Sequence, residues 1–577
     1  MIQDSPLASR ILILIALLQG CALILLHDLL KSHHWPHSSP QWLFAFYSVI
    51  LAVPTMLLLG LPYKNPGRFL LLTAAVAVAV FLLGFYVGLQ LVPMAYISYG
   101  ILQWSFFLTM AIGVFKALIY SQGLVSSEPL NYSALFLWSW RNFLTLALAL
   151  LFALAVWLIL LLGGWLFQSI GIEFFLVLFL RTWFIYLTIA LAYGVGVIIF
   201  RNLTGVIDSI TRLQQALMKF LLVLLVLVST LFLVALLFSG LHPLWDSGGS
   251  ELVLWMQALT LFFASAVYQD DPEIRPYGTV LHRLIYLGIA ALPVYSVISF
   301  YGLSLRVEQY GWTLSRCWAF LIWALLAVYS LGYLHGIIKR RDEWVYSLGR
   351  VNSVGGLLIL LCVVLVNSPL LDFRILVLKS QLARLDNGEI TLDDLDVFYI
   401  ARSLAGPGYL SLQSLKEQYG DSNPGFAQKV EFLYQQLPTR RSDPVEAKPT
   451  DPAEDMDEFL SALTVVSGEP PEELLKKIFK VETRALNLPD IHNNRYYVLD
   501  IEVNNRPPAE FIVFRDSELD ASVKLYYWDG RVWRKQTLRF FDGGNSVLLE
   551  AVRKGDIEAV TPHAQDIRIG DSYFRVR

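Results

Sequence analysis

The sequence has little charge and almost no cysteine. Charged residues make up 16% of its 577 residues, whereas soluble globular chains contain about 25%. The three cysteines, Cys21, Cys317 and Cys362, all fall in or beside apolar runs, which excludes a disulfide framework. The chain also lacks a Walker A loop, a dinucleotide-binding glycine pattern and a nucleophile elbow, so no cofactor is predicted.

Apolar residues dominate the chain instead, and they are distributed unevenly. Hydrophobic residues reach 56% of the whole. Residues 1–367 carry 18 Lys and Arg against 13 Asp and Glu, whereas residues 368–577 carry 26 against 34. This contrast predicts a membrane domain followed by a soluble tail. Because phosphate contacts need basic patches, the acidic tail also argues against nucleic-acid binding.

Long apolar runs define the predicted fold class. A membrane-spanning helix needs about 20 mostly apolar residues, because unpaired backbone polar groups are costly in lipid. Eleven such runs predict an all-α polytopic membrane bundle over residues 1–367, with the runs near 98 and 352 the weakest. They lie near residues 10–30, 42–61, 69–90, 98–119, 143–167, 173–199, 220–240, 252–268, 284–304, 317–338 and 352–367. Gly84-x-x-x-Gly88 and Gly332-x-x-x-Gly336 predict close helix packing.

The distribution of lysine and arginine between the runs predicts the orientation. These residues accumulate in cytoplasmic loops. With a cytoplasmic N-terminus, fourteen of them fall on the inner side and only Lys31, Arg306 and Arg316 on the outer side. An odd number of spans then places the tail on the outer side of the membrane, and one span more or fewer would place it on the inner side. Residues 201–219 either extend the next span or lie in the interface as a separate helix.

The polar tail divides into three predicted segments. Residues 368–437 are predicted to form a post-membrane helical segment, in which residues 368–420 have the pattern of three short helices with a break at Gly406-Pro407-Gly408. Residues 438–456, rich in proline and charge, are predicted to form a disordered linker. Residues 457–577 contain β-branched and aromatic residues in alternation with polar ones, which predicts a small soluble β-rich domain. Within it, Asp529-Gly530 stands between two such runs and predicts a hairpin.

Arg181 is the candidate for a residue of a substrate or ion pathway. It follows Glu173 by eight residues in an apolar run, which is about 12 Å along a helix. An ionisable residue at membrane depth needs a partner or a water-filled cavity. The structural alternative is that Arg181 reaches back to the outer interface or pairs with Glu173.

The connection LRVEQYGWTLSR, residues 305–316, concentrates charge and aromatic rings between two apolar runs. Gly311 permits a turn, and Thr313 can cap the following helix. A structural elbow accounts for these features, and the functional alternative is contact of its arginines with anionic headgroups or with Glu308. The candidate residues of this elbow are Arg306, Glu308, Tyr310, Trp312 and Arg316.

Two polar clusters are candidates for ion binding. The loop at residues 268–278 holds Asp270, Asp271 and Glu273, which suit a cation or a partner, although Pro272 and Pro276 favour a solvated turn. Four histidines near the first span have a spacing that matches no defined metal site, so no metal is predicted. These histidines are His27, His33, His34 and His37.

Several segments resemble one bacterial inner-membrane family. They are LSLRVEQYGWTLSRCWA, the acidic loop before it, KRRDEW, and SQLARLDNGEITLDDLDVFYI. Together they resemble the family called domain of unknown function forty-one fifty-three, over roughly residues 10–420. The resemblance implies a multi-pass plasma-membrane protein and supplies no reaction, substrate or catalytic residue. The β-rich end is then an additional module.

These observations favour one function and leave two alternatives. The absence of catalytic motifs and the tethered soluble domain favour a non-enzymatic cell-envelope factor. Its expected partners are membrane lipid and a periplasmic protein that binds the C-terminal domain. The first alternative is a secondary transporter or lipid translocase that uses Arg181. The second is a membrane enzyme that acts on lipid-linked substrates, with Glu308 as its acid.

Overall fold

A computed structural model divides the chain into two compact units, Met1–Arg441 and Ser442–Arg577. The structure describes residues 6–62, 66–94, 96–97, 100–126, 131–241, 249–268, 276–392, 394–420, 422–436, 456, 459–461, 463–485, 495–501, 510–516, 522–528, 532–538, 554, 567–569 and 572–574. The predicted linker at 438–456 therefore lies outside the described residues except for Met456, and the predicted domain boundaries stay predictions.

The described part of the first unit is helical. Its helices are α1 (Pro6–Lys31), α2 (Pro40–Gly60), α3 (Pro66–Leu89), α4 (Gly100–Val125), α5 (Tyr132–Ser169), α6 (Phe174–Phe179), α7 (Thr182–Asn202), α8 (Thr204–Ser239), α9 (Ser250–Val267), α10 (Thr279–Ala290), α11 (Leu292–Tyr310), α12 (Leu314–Arg340), α13 (Val345–Val366), α14 (Phe373–Asp386), α15 (Val397–Ser403), α16 (Ala405–Tyr419) and α17 (Pro424–Gln436).

Ten helical stretches of the described residues are long and apolar enough to cross a membrane. They correspond to ten of the eleven predicted runs, so the predicted membrane bundle is confirmed. The remaining run forms α9, whose apolar part, Glu251–Val267, is shorter than the others. The two runs expected to be weakest form the long helices α4 and α13. The apolar pattern alone does not determine how long each helix is. Judged by the length of its apolar part, α9 is the weakest candidate span.

Two of the predicted runs are interrupted rather than continuous. The run near 173–199 forms α6 and α7, and Arg181 between them has an extended backbone with φ −65° and ψ 131°. The run near 284–304 is divided at Ala291 into α10 and α11, with Pro293 in the first turn of α11. Proline suits that position because the first turn of a helix leaves its N–H groups unpaired in any case.

Helices α5 and α8 are longer than a membrane crossing requires. They contain 38 and 36 residues, which corresponds to roughly 55 Å at 1.5 Å per residue. The hydrocarbon core of a bilayer is about 30 Å thick. Because α8 begins at Thr204, residues 204–219 continue directly into the following span. The first of the two expected alternatives, a helical extension of that span, is therefore correct.

Helix α9 is held inside the bundle by hydrogen bonds. The Gln257 side chain is fully buried, and its Nε2 donates to Ser296 Oγ of α11 at 2.6 Å and to Ser330 Oγ of α12 at 2.8 Å. Such bonds join helices where lipid offers no alternative partner. The short helix is thus fixed against two long ones.

The glycine pairs allow the close helix approach that the sequence predicts. A Cβ on Gly88 of α3 would lie 2.4 Å from Gln41 Cα of α2, and a Cβ on Gly84 would lie 2.8 Å from Phe44 O. At the second pair, a Cβ on Gly336 of α12 would lie 2.6 Å from Ser347 Cβ of α13. In both places only a hydrogen atom fits between the two helices.

Helices α14 to α17 pack onto one end of the bundle. Phe373 and Val377 of α14 share a buried apolar cluster with Cys317 of α12 and Val366 of α13. Residues 368–420 contain the three predicted helices, α14, α15 and α16, with the second break at Leu404, close to the predicted one at Gly406-Pro407-Gly408; α17 follows them as a fourth. These helices belong to the same compact unit as the membrane spans.

The second unit contains the predicted β-rich structure. Its elements are β1 (Leu463–Val465), α18 (Glu472–Ala485), β2 (Arg495–Ile501), β3 (Glu510–Asp516), β4 (Ser522–Trp528), β5 (Trp533–Leu538), β6 (Ile567–Ile569) and β7 (Ser572–Phe574). Strands β1 to β5 form one sheet in chain order, with β1 parallel to β2 and the other pairs antiparallel. Asp529-Gly530 lies outside the described residues, but Trp528 pairs with Trp533 across β4 and β5, as a hairpin requires.

One face of this sheet is covered by α18. Leu474 and Ile478 of the helix are fully buried against Tyr496 and Val498 of β2. The helix connects the parallel strands β1 and β2, which is the connection that a parallel pair needs. The second unit therefore has its own apolar core.

Candidate functional site

A cavity of about 1000 Å³ lies at one end of the bundle, where four spans meet α14 and α15. We call it the Arg374 cavity. Its wall includes Val87 at the end of α3, residues 100–105 at the start of α4, Leu314 at the start of α12 and Val366 at the end of α13. Residues from the end of α3, the start of α4, the start of α12 and the end of α13 all line this cavity. These four helix ends therefore lie on the same side of the membrane. That side is the one predicted to be periplasmic.

A buried ion pair is the main polar feature of this cavity. Asp372 and Arg374 are only 5% and 6% exposed. Arg374 Nη2 donates to Asp372 Oδ2 at 2.6 Å, and Arg374 Nε donates to Asp372 Oδ1 at 2.8 Å. Asp372 is also the N-cap of α14, since its Oδ1 accepts from the Arg374 backbone N–H at 2.9 Å. A capping aspartate two residues before an arginine thus builds the pair within one short segment.

The pair leaves one hydrogen-bond donor unused. The Tyr86 hydroxyl of α3 donates to Asp372 Oδ2 at 2.8 Å, so each carboxylate oxygen accepts two hydrogen bonds. In contrast, Arg374 Nη1 is buried and has no partner among the residues that the structure describes. An unsatisfied buried polar group costs about 1–3 kcal/mol, and more if it is charged. A ligand with an acceptor group would remove that cost.

Further polar groups stand in the wall of the cavity. Arg402 is exposed, and its Cζ lies 4.8 Å from the centre of the Phe398 ring, in a cation–π contact. Asp396 caps α15 by accepting from Tyr399 N at 2.8 Å. Burial raises the pKa of Tyr399, whose hydroxyl accepts from Leu314 N at 2.8 Å. The wall therefore contains two guanidinium groups and two carboxylates, so its formal charges balance.

The mouth of the cavity is apolar. Trp104 of α4 is 80% exposed in the protein, and Ile101 and Phe398 are exposed beside it. Large apolar side chains on the outside of a spanning helix meet lipid, since lipid is the solvent there. The cavity thus joins an apolar wall that faces lipid to a buried ion pair. This arrangement can hold an amphiphile, with its acceptor groups near Arg374 and its chain along α4.

The predicted elbow lies beside this cavity and is a structural turn. Gly311 has φ +72°, which favours glycine, and Thr313 caps α12 by accepting from Arg316 N at 3.4 Å. The Arg316 side chain donates to Gly311 O at 2.5 Å and lies 5.4 Å from the centre of the Tyr310 ring. Gln381 of α14 donates to the backbone oxygen of Trp312 at 3.0 Å.

The charged residues of the elbow do not form the ion pair with Glu308 that was one of the alternatives. Glu308 is exposed and Arg306 is half-buried. In the described parts of the chain, neither residue has an ionic partner within 4 Å. Arg316 uses its side chain within the turn itself. The structure therefore brings Tyr310 and Arg316 together and leaves Glu308 outside that contact.

Arg181 lies at the start of a helix rather than inside a continuous one. It is the N-cap residue of α7, and both Arg181 and Glu173 are exposed. No ion pair joins the two residues, which are both described. The 12 Å depth assumed a single helix from Glu173, and the break at Arg181 removes that premise. The role of Arg181 in a pathway stays a prediction.

Of the two remaining clusters, only the four histidines lie among the described residues. Asp270, Asp271 and Glu273 lie outside the described residues. Of the four histidines, His33 Nδ1 and His37 Nε2 lie 3.1 Å apart. Among the described residues, no three His, Cys, Asp or Glu side chains form a group that could hold a metal ion.

Sequence reasoning missed Asp372 and Arg374. Their signal is an acidic and a basic residue two positions apart, directly after the last apolar run. In the sequence, the pair resembles an ordinary helix start. In the structure, the hydroxyl of Tyr86, 286 residues away along the chain, donates a hydrogen bond to Asp372. Only the packing of α3 against this segment makes the pair a buried one.

The fold and this cavity define a multi-pass α-helical membrane protein with a polar site at one end of its bundle. The chain belongs to the family described as Domain of unknown function (DUF4153), whose model matches residues 12–415. The predicted family is therefore confirmed, and the match includes both the spans and α14 and α15. No curated protein and no solved structure matches the chain.

Proposed function

We propose that this protein is a non-enzymatic factor of the bacterial inner membrane that binds a phospholipid in the Arg374 cavity. One observation carries the proposal: Arg374, whose buried Nη1 has no partner among the described residues, lines a cavity with an apolar mouth that faces lipid. Phosphate oxygens are acceptors, and arginine is well suited to them because its planar donors match their geometry. The apolar surface of α4 then carries the acyl chains.

The charges of the cavity favour a zwitterionic headgroup. Arg374 and Arg402 supply donors for a phosphate, and the exposed Asp396 supplies an acceptor for an ammonium group. Because two carboxylates balance the two guanidinium groups, the wall has no excess charge that would select a strongly anionic lipid. The second unit, with a core of its own, is the domain that would bind a periplasmic protein.

Native mass spectrometry of the full chain, extracted in mild detergent, tests the lipid site. Ser105→Phe fills the cavity and leaves the Asp372–Arg374 pair intact, since the Ser105 hydroxyl bonds only to Leu102 O. We expect the amount of bound phospholipid to fall about tenfold, the equivalent of 1.4 kcal/mol in binding. The matched control is Leu108→Phe, which adds a ring to the same helix at a position that is 63% exposed.

The control variant should retain wild-type phospholipid. Equal retention by Ser105→Phe and Leu108→Phe would show that lipid does not occupy this cavity. If the purified protein bound a small molecule with high affinity and turned it over, the non-enzymatic part of the proposal would be refuted.

Reporter fusions test the proposed orientation. The bias of lysine and arginine supports a cytoplasmic N-terminus, and eleven crossings then place the end of the chain in the periplasm. A reporter that matures only in the periplasm, fused after Arg577, is expected to be active. A cytosolic reporter at the same position is expected to be inactive, and the reverse result would invert the proposed side of the Arg374 cavity.

A further inference from the structure

A second cavity, of about 500 Å³, lies toward the other end of α4. We call it the Lys116 cavity. It is bounded by α4, α5, α8, α9 and α13, and most of its wall is apolar. Five aromatic side chains that contribute to this apolar wall are Phe115, Phe136, Trp140, Phe143 and Phe262. The cavity is therefore shaped for a ligand with an apolar body.

Lys116 is the one charged residue among the described residues that line this cavity. It lies nine residues before the end of α4 at Val125, which is about 13 Å along the helix. Across the described ranges of the chain, no carboxylate lies within 4 Å of its amine. An ionisable residue at membrane depth is costly unless it has a partner, so Lys116 marks a binding site.

Two other donors of the same wall also lack an acceptor. Asn352 of α13 is 8% exposed, and its Oδ1 accepts from the Tyr333 hydroxyl at 2.5 Å, while its Nδ2 has no partner among the described residues. The indole Nε1 of Trp140 is buried and likewise has no partner in the described part of the chain. Three residues that carry these donors thus line one cavity, whose wall has a single positive charge among the described residues. Each unpaired buried donor carries a desolvation penalty.

We propose that the Lys116 cavity binds an oxyanion, a carboxylate or a phosphate, that is attached to an apolar body. An oxyanion offers only acceptors, which is what the amine, the amide and the indole lack, and it neutralises the positive charge. The aromatic wall accommodates the body. This site does not depend on the lipid proposed for the Arg374 cavity, because no residue is common to the two walls.

Native mass spectrometry of the full chain in detergent tests this site with paired probes. Dodecanoate and dodecanol have the same chain, and only the first has an oxyanion. We expect the wild type to bind dodecanoate at least about tenfold more tightly, because hydrogen bonds between charged groups are stronger than those to a neutral hydroxyl. Lys116→Gln should remove this preference, and Lys116→Arg should retain it.

Asn352→Asp provides a variant that keeps the local packing. It preserves the acceptor for the Tyr333 hydroxyl, but it replaces a donor with a carboxylate that repels the ligand and can pair with Lys116. We expect it to lose the preference for dodecanoate even if Lys116→Gln fails to fold. The matched control is Arg212→Gln, which removes an exposed cation from α8 and should leave the preference unchanged.

Two results would overturn the proposal. The first is equal binding of dodecanoate and dodecanol by the wild type. The second is an unchanged preference in both Lys116→Gln and Asn352→Asp. Inorganic phosphate and dodecyl phosphate distinguish a free oxyanion from one with an apolar body: the second should bind at least about tenfold more tightly. Equal binding of these two probes would refute the role of the aromatic wall.

Discussion

The two cavities at opposite ends of α4 treat a buried cation in different ways. In the Arg374 cavity, the cation has a counter-ion two residues away and shares it with Tyr86. In the Lys116 cavity, the cation has no counter-ion within 4 Å among the described residues. The first cavity therefore keeps its charge neutral without a ligand, whereas the second needs a ligand to become neutral.

The same two helices contribute to both cavities. Helices α4 and α13 are in close contact: the Tyr120 hydroxyl, in the wall of the Lys116 cavity, donates to Ser353 O at 2.6 Å, and between the cavities a Cβ on Gly113 would lie 2.9 Å from Val363 Cγ1. Because the two helices are packed so closely, neither can move without the other. The difference between the cavities thus comes from their side chains and not from separate scaffolds.

Removal of the counter-ion from the Arg374 cavity should have the largest effect on stability. Asp372→Asn leaves the Arg374 guanidinium buried without a charge partner, and breaking such a pair from one side costs about 3–5 kcal/mol. We expect a corresponding loss in the free energy of unfolding, measured by thermal or chemical denaturation of the full chain in detergent. Asp396→Asn, at an exposed carboxylate of the same wall, should leave the free energy of unfolding nearly unchanged, because asparagine caps a helix about as well as aspartate. Similar losses in both variants would contradict the distinction.

Removal of the cation from the Lys116 cavity should change the free energy of unfolding by a smaller amount, and it should raise this free energy. Lys116→Met keeps an unbranched chain and removes a charge that has no counter-ion to lose. Apolar replacement of buried charge is often neutral or stabilising, and we expect a gain on the order of 1 kcal/mol in the same denaturation measurement. A loss as large as that of Asp372→Asn would show that Lys116 is part of a structural pair.

Sequence reasoning predicted what local patterns determine. The spans follow from long apolar runs, the β4–β5 hairpin from an Asp-Gly turn, and the cap at Thr313 from a hydroxyl before an apolar run. The break at Arg181 escaped prediction because hydropathy averages over a window and does not show where a helix ends. An apolar run can therefore be one helix or two.

The cavities escaped prediction because they depend on residues far apart in the chain. Lys116 counted only as a positive charge toward the orientation, since the sequence does not show that α4 continues to Val125. Its neighbours across the cavity come from four other helices. A lysine inside an apolar run is nevertheless a signal that sequence alone offers.

The position of Asp372 and Arg374 at the start of one helix bears on how the chain enters the membrane. Asp372 and Arg374 are only two positions apart, so their ion pair can form without the ordering of a long loop. The entropic cost of forming the pair is therefore small. The segment can reach the bilayer surface already neutral, and the hydroxyl of Tyr86 then joins a pair that exists. Assembly of this end of the bundle would follow insertion and not be a condition for it.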